Sequence, residues 1–207
     1  MPNTILLEVF TDYVCPWCYL GDNRTKKLKQ DYDILVQLVH FPLHPETPIE
    51  GRTLQELFGC GPEQIKAKNM QMKNLMSAEG LAYNDRSHTY NSRIAQEIGI
   101  WADTQMGADT IHEKFYQAYF IDGRNIGEIE VIIDVVKSIG LDAEEARTVI
   151  AERRYKDAVD SDWAKSHSYG VTGVPTYVSN GQGVTGAQPY NVLQNLMHDV
   201  GAQKRSR

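Results

Sequence analysis

Cysteine is scarce in this chain: 3 in 207 residues, too few for a scaffold built on disulfides. Long apolar runs are missing as well. No stretch reaches the roughly 18 apolar residues that a membrane-spanning helix needs, so no membrane partner is expected. Met1-Pro2-Asn3-Thr4 lacks the basic opening of a secretory leader, and the first strand begins almost at once, so the expected location is the cytoplasm. Basic residues are the minority, 21 Lys and Arg against 27 Asp and Glu, for a net charge of −6. That balance argues against nucleic acid as a main partner. The one basic cluster, Lys204-Arg205-Ser206-Arg207, is short and terminal and reads as a solvated tail. Beyond Cys15 and Cys18 only Cys60 and six scattered histidines remain, with no second close pair, so no metal site is expected. Internal repeats and low-complexity segments are also lacking.

What is present is a chain that is 42% apolar, long enough for one large domain or a domain carrying an insertion. Its most informative feature is Cys15-Pro16-Trp17-Cys18. Ile5 to Phe10 reads as a mostly buried strand. Pro16 then stands where a helix tolerates proline best, in its first turn, and the helix runs to about Gln30. Two cysteines separated by two residues at a helix start bring their sulfurs together on one turn.

Further along, Ile34 to Phe41 reads as a second strand, followed by the rigid exit Pro42, Pro45 and Pro48. From Leu54 to Tyr169 the pattern is helical. Helices are expected over Glu63–Glu79 and Ser92–Met106, and over a segment capped by Asp109 that carries Ile111, Phe115, Ala118 and Tyr119. Ile129, Ile132, Ile133, Val136 and Ile139 form an apolar stripe at helical spacing, closed by Gly140. Asp142 and Glu145 match a capping box for the next helix. Thr176–Val178 and Gly183–Thr185 flank Asn180-Gly181, a hairpin signal, and a last helix follows from Pro189 to about Val200. The order β-α-β, helical block, β-β-α gives the expected fold class: α/β, a thioredoxin-like fold with a large all-helical insertion domain. The expected boundaries are 1–53 and 170–207 for the discontinuous thioredoxin-like domain and 54–169 for the insertion.

The residue types point to thiol–disulfide chemistry. Cys15, at the helix N-terminus, faces free N–H groups and the positive end of the helix dipole, which favour a thiolate. It is the expected attacking cysteine. Cys18, one turn deeper, is expected to be less exposed and to resolve the mixed disulfide. Pro16 and Trp17 shape the surface around Cys15 and are expected to touch substrate. Val174-Pro175 opens a late strand, where proline marks an edge or a special turn. In a cis form, Val174 would offer its backbone to an extended substrate. Asp12 is a candidate proton relay for Cys18, with a turn or helix cap as the alternative. Glu8 is a weaker candidate, the alternative being a strand residue facing solvent. His40 or His44 would support a thiolate if folded near it, the alternative being a structural histidine. Cys60 reads as a small, semi-buried residue. For the cysteine pair itself, a structural disulfide or half a zinc site stays open.

Asp12-Tyr13-Val14-Cys15-Pro16-Trp17-Cys18-Tyr19-Leu20-Gly21 resembles the DsbA family, in particular its FrnE-like branch. So do Phe41-Pro42-Leu43, Asn91-Ser92-Arg93-Ile94-Ala95, Asp122-Gly123-Arg124-Asn125-Ile126-Gly127, Gly170–Thr176 and Gly186–Pro189. The resemblance implies a thioredoxin fold with inserted helices, attack by Cys15, resolution by Cys18 and docking of substrate at Val174-cis-Pro175. It also implies that Asn91 lies near the cleft between the two parts. No dissociable cofactor is expected, the cysteine pair being the redox centre, although glutathione is a candidate reductant and partner beside cysteine-containing polypeptides. The alternative function is a glutathione-dependent isomerase or transferase of the kappa-class or hydroxychromene carboxylate isomerase type. Those relatives are similar in placement but carry serine where Cys15 stands.

Overall fold

A computed structural model describes residues 4–205; Met1, Pro2, Asn3, Ser206 and Arg207, on which part of the leader and tail readings rest, lie outside the described residues. One four-stranded sheet organises the chain, in the order β2-β1-β5-β6. β1 (Ile5–Thr11) and β2 (Ile34–His40) are parallel, in register from Ile5↔Ile34 to Thr11↔His40. Between them runs α1 (Pro16–Asp31), the crossover that a parallel pair requires. β5 (Thr176–Ser179) lies antiparallel to β1 and is joined to β6 (Gln182–Thr185) by Asn180-Gly181. Both turn residues have positive φ, 48° and 75°, as a two-residue hairpin of this hand needs. α9 (Tyr190–Asp199) closes the chain.

Strand alternation sorts the side chains of β1 into two cores. Leu7 and Val9 join Leu28, Ile34, Tyr177, Leu193, Leu196 and Met197 under α9. Phe10 points the other way, into a larger cluster that also holds Tyr13, Cys15 and Cys18. The chain between β2 and β5 supplies most of the rest of that cluster. It comprises α2 (Leu54–Phe58), α3 (Pro62–Ala78), α4 (Arg93–Asp103), α5 (Ile111–Phe120), α6 (Ile129–Ser138), α7 (Ala143–Ala151) and α8 (Lys156–Ser168). Ile98, Trp101, Phe115, Tyr119, Ile132 and Ile133 from these helices pack in one continuous core with the cysteine pair.

Several local expectations are corrected. The helical block also contains β4 (His88–Thr89), paired with β3 (Arg52–Thr53), two residues each and too short to leave a periodic signal. Thr110, not Asp109, precedes α5, because the turn closed by Ile111 N–H on Ala108 C=O delays the helix start. Ile129 is exposed, since it opens α6 ahead of the buried run Val131, Ile132, Ile133, Val135 and Val136. Asp142 does cap α7, its carboxylate accepting from the Glu144 and Glu145 N–H groups. The described part of the basic tail is not loose: Arg205 N–H donates to Asp31 C=O at 2.9 Å and its Nε to Tyr32 C=O at 2.9 Å.

Candidate active site

Cys15 is the N-cap of α1, in extended geometry (φ −91°, ψ 114°), with Pro16 in the first turn. Its carbonyl accepts from the N–H groups of Cys18 and Tyr19, at 3.0 and 3.2 Å, and its own N–H donates to Asp12 C=O at 3.1 Å. Both thiols are free and buried, Cys15 at 4% exposure and Cys18 at 1%. Trp17, by contrast, is exposed at the rim.

Val174–Pro175 is a cis peptide bond, and Cys15 Sγ lies 3.5 Å from the Val174 carbonyl oxygen, to which it donates. The two motifs, 159 positions apart, thus meet. Gly21 makes part of this approach possible. A Cβ at that position would come within 3.0 Å of Pro175 Cγ and would also collide with the Tyr177 hydroxyl. The bare backbone of α1 therefore packs where a side chain would not fit.

Cys18 sits between opposing influences. Burial, with the neighbouring Cys15 sulfur second, pushes its thiol well above the ordinary range; the Thr11 hydroxyl and the Asp12 main-chain N–H pull the other way. Thr11 Oγ1 is 2.7 Å from Tyr116 Oη, and both residues are buried. Tyr116 has no other hydrogen-bond partner among the described residues, so its single proton is satisfied only by donation to Thr11. The Thr11 proton is then free to face Cys18. Tyr116 belongs to α5, so that helix reaches the Cys18 sulfur through one threonine. Sequence reasoning missed both residues. Their only signal was position: Thr11 at the end of β1, one residue before the Asp12 that begins the motif.

Asp12 is fully buried. Its carboxylate accepts from the N–H groups of Val14 and Leu43, each at 3.1 Å, and is also bonded by Ser92 and Gln96. These partners join the loop before Cys15 to the segment after β2 and to α4. Desolvation raises its pKa to about 6 despite those bonds. Neither sulfur is among the partners of its carboxylate; the Asp12 main chain is what meets the cysteines.

The two histidines are structural in placement. His40 packs on Tyr13, with ring centroids 5.4 Å apart, and burial lowers its pKa to about 3, so it carries no charge to offer a thiolate. His44 is also held low, by burial first and then by Arg52 and Arg86. Glu8 is buried rather than solvent-facing and forms an ion pair with Lys165 of α8. Asn91 donates to the carbonyls of Pro45 and Thr47, at 3.2 and 2.8 Å, tying the proline-rich exit to the start of α4. Cys60 is half-buried in the turn between α2 and α3. Pro16 and Trp17 line a cleft of about 170 Å³ with residues of α2 and α3 and with Arg86.

With a cysteine pair at a helix start and a proline loop against its first sulfur, the arrangement matches one family. Residues 6–198 match the model of the DSBA-like thioredoxin domain. The chain belongs to this family of thiol–disulfide oxidoreductases. It is 22% identical over 209 residues to an uncharacterised protein of Bacillus subtilis, YwbO, covering 97% of this chain and all of that one. It is similar to the crystal structure of a probable DsbA oxidoreductase from Streptomyces coelicolor, with a TM-score of 0.87, 29% identity, and coverage of 98% of this chain and 93% of that one. The fold is shared with a cytosolic disulfide reductase, DsbM, from Pseudomonas aeruginosa, with a TM-score of 0.68, 18% identity, and coverage of 93% and 98%. No helix among the described residues is long and apolar enough to cross a membrane.

Proposed function

We propose that this chain exchanges disulfides with cysteine-containing polypeptides in the cytoplasm, with Cys15 as nucleophile and Cys18 as resolving thiol. The observation that carries the reading is the 3.5 Å contact between Cys15 Sγ and the Val174 carbonyl. It puts an extended main chain beside a sulfur at a helix N-terminus, where a substrate strand could pair while its own sulfur reacts. The family membership and the cytosolic disulfide reductase of the same fold support it.

In the reducing direction, the Cys15 thiolate attacks one sulfur of a substrate disulfide. A bond forms between Cys15 and that sulfur, and the other substrate sulfur leaves as a thiolate that takes up a proton. Cys18 then gives up its proton and attacks Cys15 Sγ. The Cys15–Cys18 disulfide forms, the second substrate thiolate departs, and two electrons have passed to the substrate. A dithiol, or two molecules of glutathione, restores the pair by the reverse exchange. Oxidation of a substrate dithiol follows the same steps backwards. The cysteine pair is itself the electron carrier. Pro16 and Trp17 form the contact surface, Val174 and Pro175 the docking edge, and Asp12 fixes the loop that presents both cysteines.

Replacing Cys18 with Ser tests this. The variant should accumulate mixed disulfides on Cys15 with disulfide-bearing proteins, one substrate sulfur leaving as a thiolate at each capture, seen as mass-shifted species released by reductant. A variant that traps nothing, from a parent that catalyses no exchange, would overturn the reading. Glutathione binding that survives loss of both thiols would favour the isomerase or transferase alternative instead.

A further inference from the structure

Arg86 lies in the segment between α3 and β4, and its guanidinium is half-buried. Nε donates to Tyr83 Oη and Nη1 to Tyr119 Oη, each at 2.9 Å. The group also lies over the rings of Phe120 and Tyr119, at 5.2 and 5.5 Å from their centroids. None of these partners is an anion, since burial raises both phenols above their ordinary range. The other half-buried arginines among the described residues, Arg24, Arg93, Arg124 and Arg147, each hold a carboxylate at 2.6 or 2.7 Å. Arg86 forms no ion pair among the described residues, and Nη2 has no protein partner there.

This rigid, uncompensated cation opens onto the cleft beside the cysteine motif, where it shares the wall with Pro16, Trp17, Phe58, Lys68 and Met72. The lining includes two cations and no acid, in a chain whose net charge is −6. The field reaches further, because Arg52 and Arg86 together help keep His44 neutral. The two phenol oxygens and two ring faces hold the guanidinium in place but bring no negative charge to neutralise it. A planar fork held by two tyrosines is already arranged for a carboxylate.

We propose that Arg86, assisted by Lys68, binds a carboxylate of the thiol or disulfide whose sulfur reacts at Cys15. The proposal rests on the thiol–disulfide reading and narrows its substrate class to carboxylate-bearing thiols. Two sources have that chemistry: glutathione, and a polypeptide cysteine with an acidic neighbour.

The experiment measures the rate at which the reduced, full-length protein consumes four kinds of disulfide: oxidised glutathione, its ethyl ester, peptide disulfides with Glu or with Gln beside the cysteine, and uncharged bis(2-hydroxyethyl) disulfide. Wild type should prefer the free carboxylate in at least one matched pair, by about tenfold, the worth of one charge-assisted hydrogen bond. Preference in the glutathione pair assigns the small thiol, and preference in the peptide pair assigns acidic polypeptides. Arg86→Met should remove about tenfold from the carboxylated substrate and leave the uncharged one within about twofold. Lys68→Gln, at an exposed position, should remove about threefold from the carboxylated substrate alone, as a weaker surface pairing.

No carboxylate preference in wild type overturns the proposal. So does an Arg86→Met variant that slows charged and uncharged disulfides alike. If Arg86→Met does not fold, Lys68→Gln decides, and an unchanged rate on the carboxylated substrate is then fatal to it. Wild type that reduces none of these disulfides removes the exchange reading and this proposal together, whereas turnover without charge preference removes only the proposal.

Discussion

The two faces of the sheet are packed by different rules. Under α9 the core is Leu7, Val9, Leu28, Ile34, Leu193, Leu196 and Met197, with Tyr32 and Tyr177 as its polar-tipped members. On the opposite face the core holds Cys15 and Cys18, and buried in the same part of the molecule are Thr11, Asp12, His40, Gln96 and Glu97. Burying polar groups costs free energy unless each finds a partner. His40 Nδ1 finds none among the described residues, and Asp12 has four partners and still has its pKa raised. One face is therefore built for cohesion, while the other gives up some cohesion to hold two buried thiols in a polar environment.

The largest effect should come from the cohesive face. Leu193 is fully buried, and Leu193→Ala should lower unfolding free energy by about 2–5 kcal/mol, read from urea denaturation. Well below its midpoint the variant should exchange disulfides within about twofold of wild type, because no redox-site residue belongs to that cluster. A folded variant that loses exchange would break the division between the faces.

The polar face should show itself in pH dependence. The Asp12 pKa is about 6 in the folded chain against an ordinary 3.8, so the folded state holds that proton where the unfolded state has released it. Its contribution to stability is greatest below about pH 4 and falls as pH rises toward about 6, by roughly 3 kcal/mol. His40 acts with the opposite sign. Its pKa falls from 6.5 to about 3 on folding, so the unfolded state binds the proton first and stability rises with pH across that window. The two slopes partly cancel in wild type. Asp12→Asn should make stability rise more steeply between about pH 4 and 6, and His40→Phe should make it fall there. Denaturation midpoints measured across that range check both, and parallel profiles for all three proteins would sink the argument.

Where α1 meets the proline loop the two faces share a boundary, and Gly21 sits on it. Gly21→Ala puts a methyl 3.0 Å from Pro175 Cγ and should cost about 1–3 kcal/mol through overpacking. Because the displaced segment before β5 carries Val174, exchange with polypeptide substrates should fall further than exchange with small disulfides. Equal losses on both would mean that the boundary matters for stability alone.

Legibility in the sequence divides along similar lines. Cys15 at a helix start, the Asn180-Gly181 hairpin and the buried part of the α6 stripe could be read because each rests on a local rule: a capping position, a turn geometry, a period of 3.6. The order of elements made the fold class readable, and the family match bears out that class. What escaped depends on tertiary placement. Tyr116 looks like any aromatic on an amphipathic helix until α5 lands on Thr11. Arg86 looks like a loop arginine until two phenols and two rings enclose it. Glu8 alternates like a surface residue of a strand, and only the arrival of Lys165 from α8 explains its burial. β3 and β4 are too short for any period to register.

The smallest expected effect is the most specific to the reactive face. Thr11→Val keeps the shape but removes the hydroxyl between Tyr116 and Cys18, and Tyr116→Phe removes the far end of the chain. Tyr116→Phe should cost about 1 kcal/mol of stability, a single buried hydrogen bond, and Thr11→Val about 1–3 kcal/mol, because it leaves the Tyr116 hydroxyl buried without its partner. The kinetic consequence has a definite sign. A donor to the Cys18 sulfur favours its thiolate, so losing that donor disfavours the thiolate. Resolution of a preformed mixed disulfide on Cys15 should then slow at neutral pH, and its rising limb should move to higher pH, more for Thr11→Val than for Tyr116→Phe. Because both variants interrupt one chain, the double variant should shift the profile by less than the sum of the two. A purely structural role would lower the melting temperature and leave the pH profile where it was, which separates a hydroxyl that tunes a sulfur from one that only fills space.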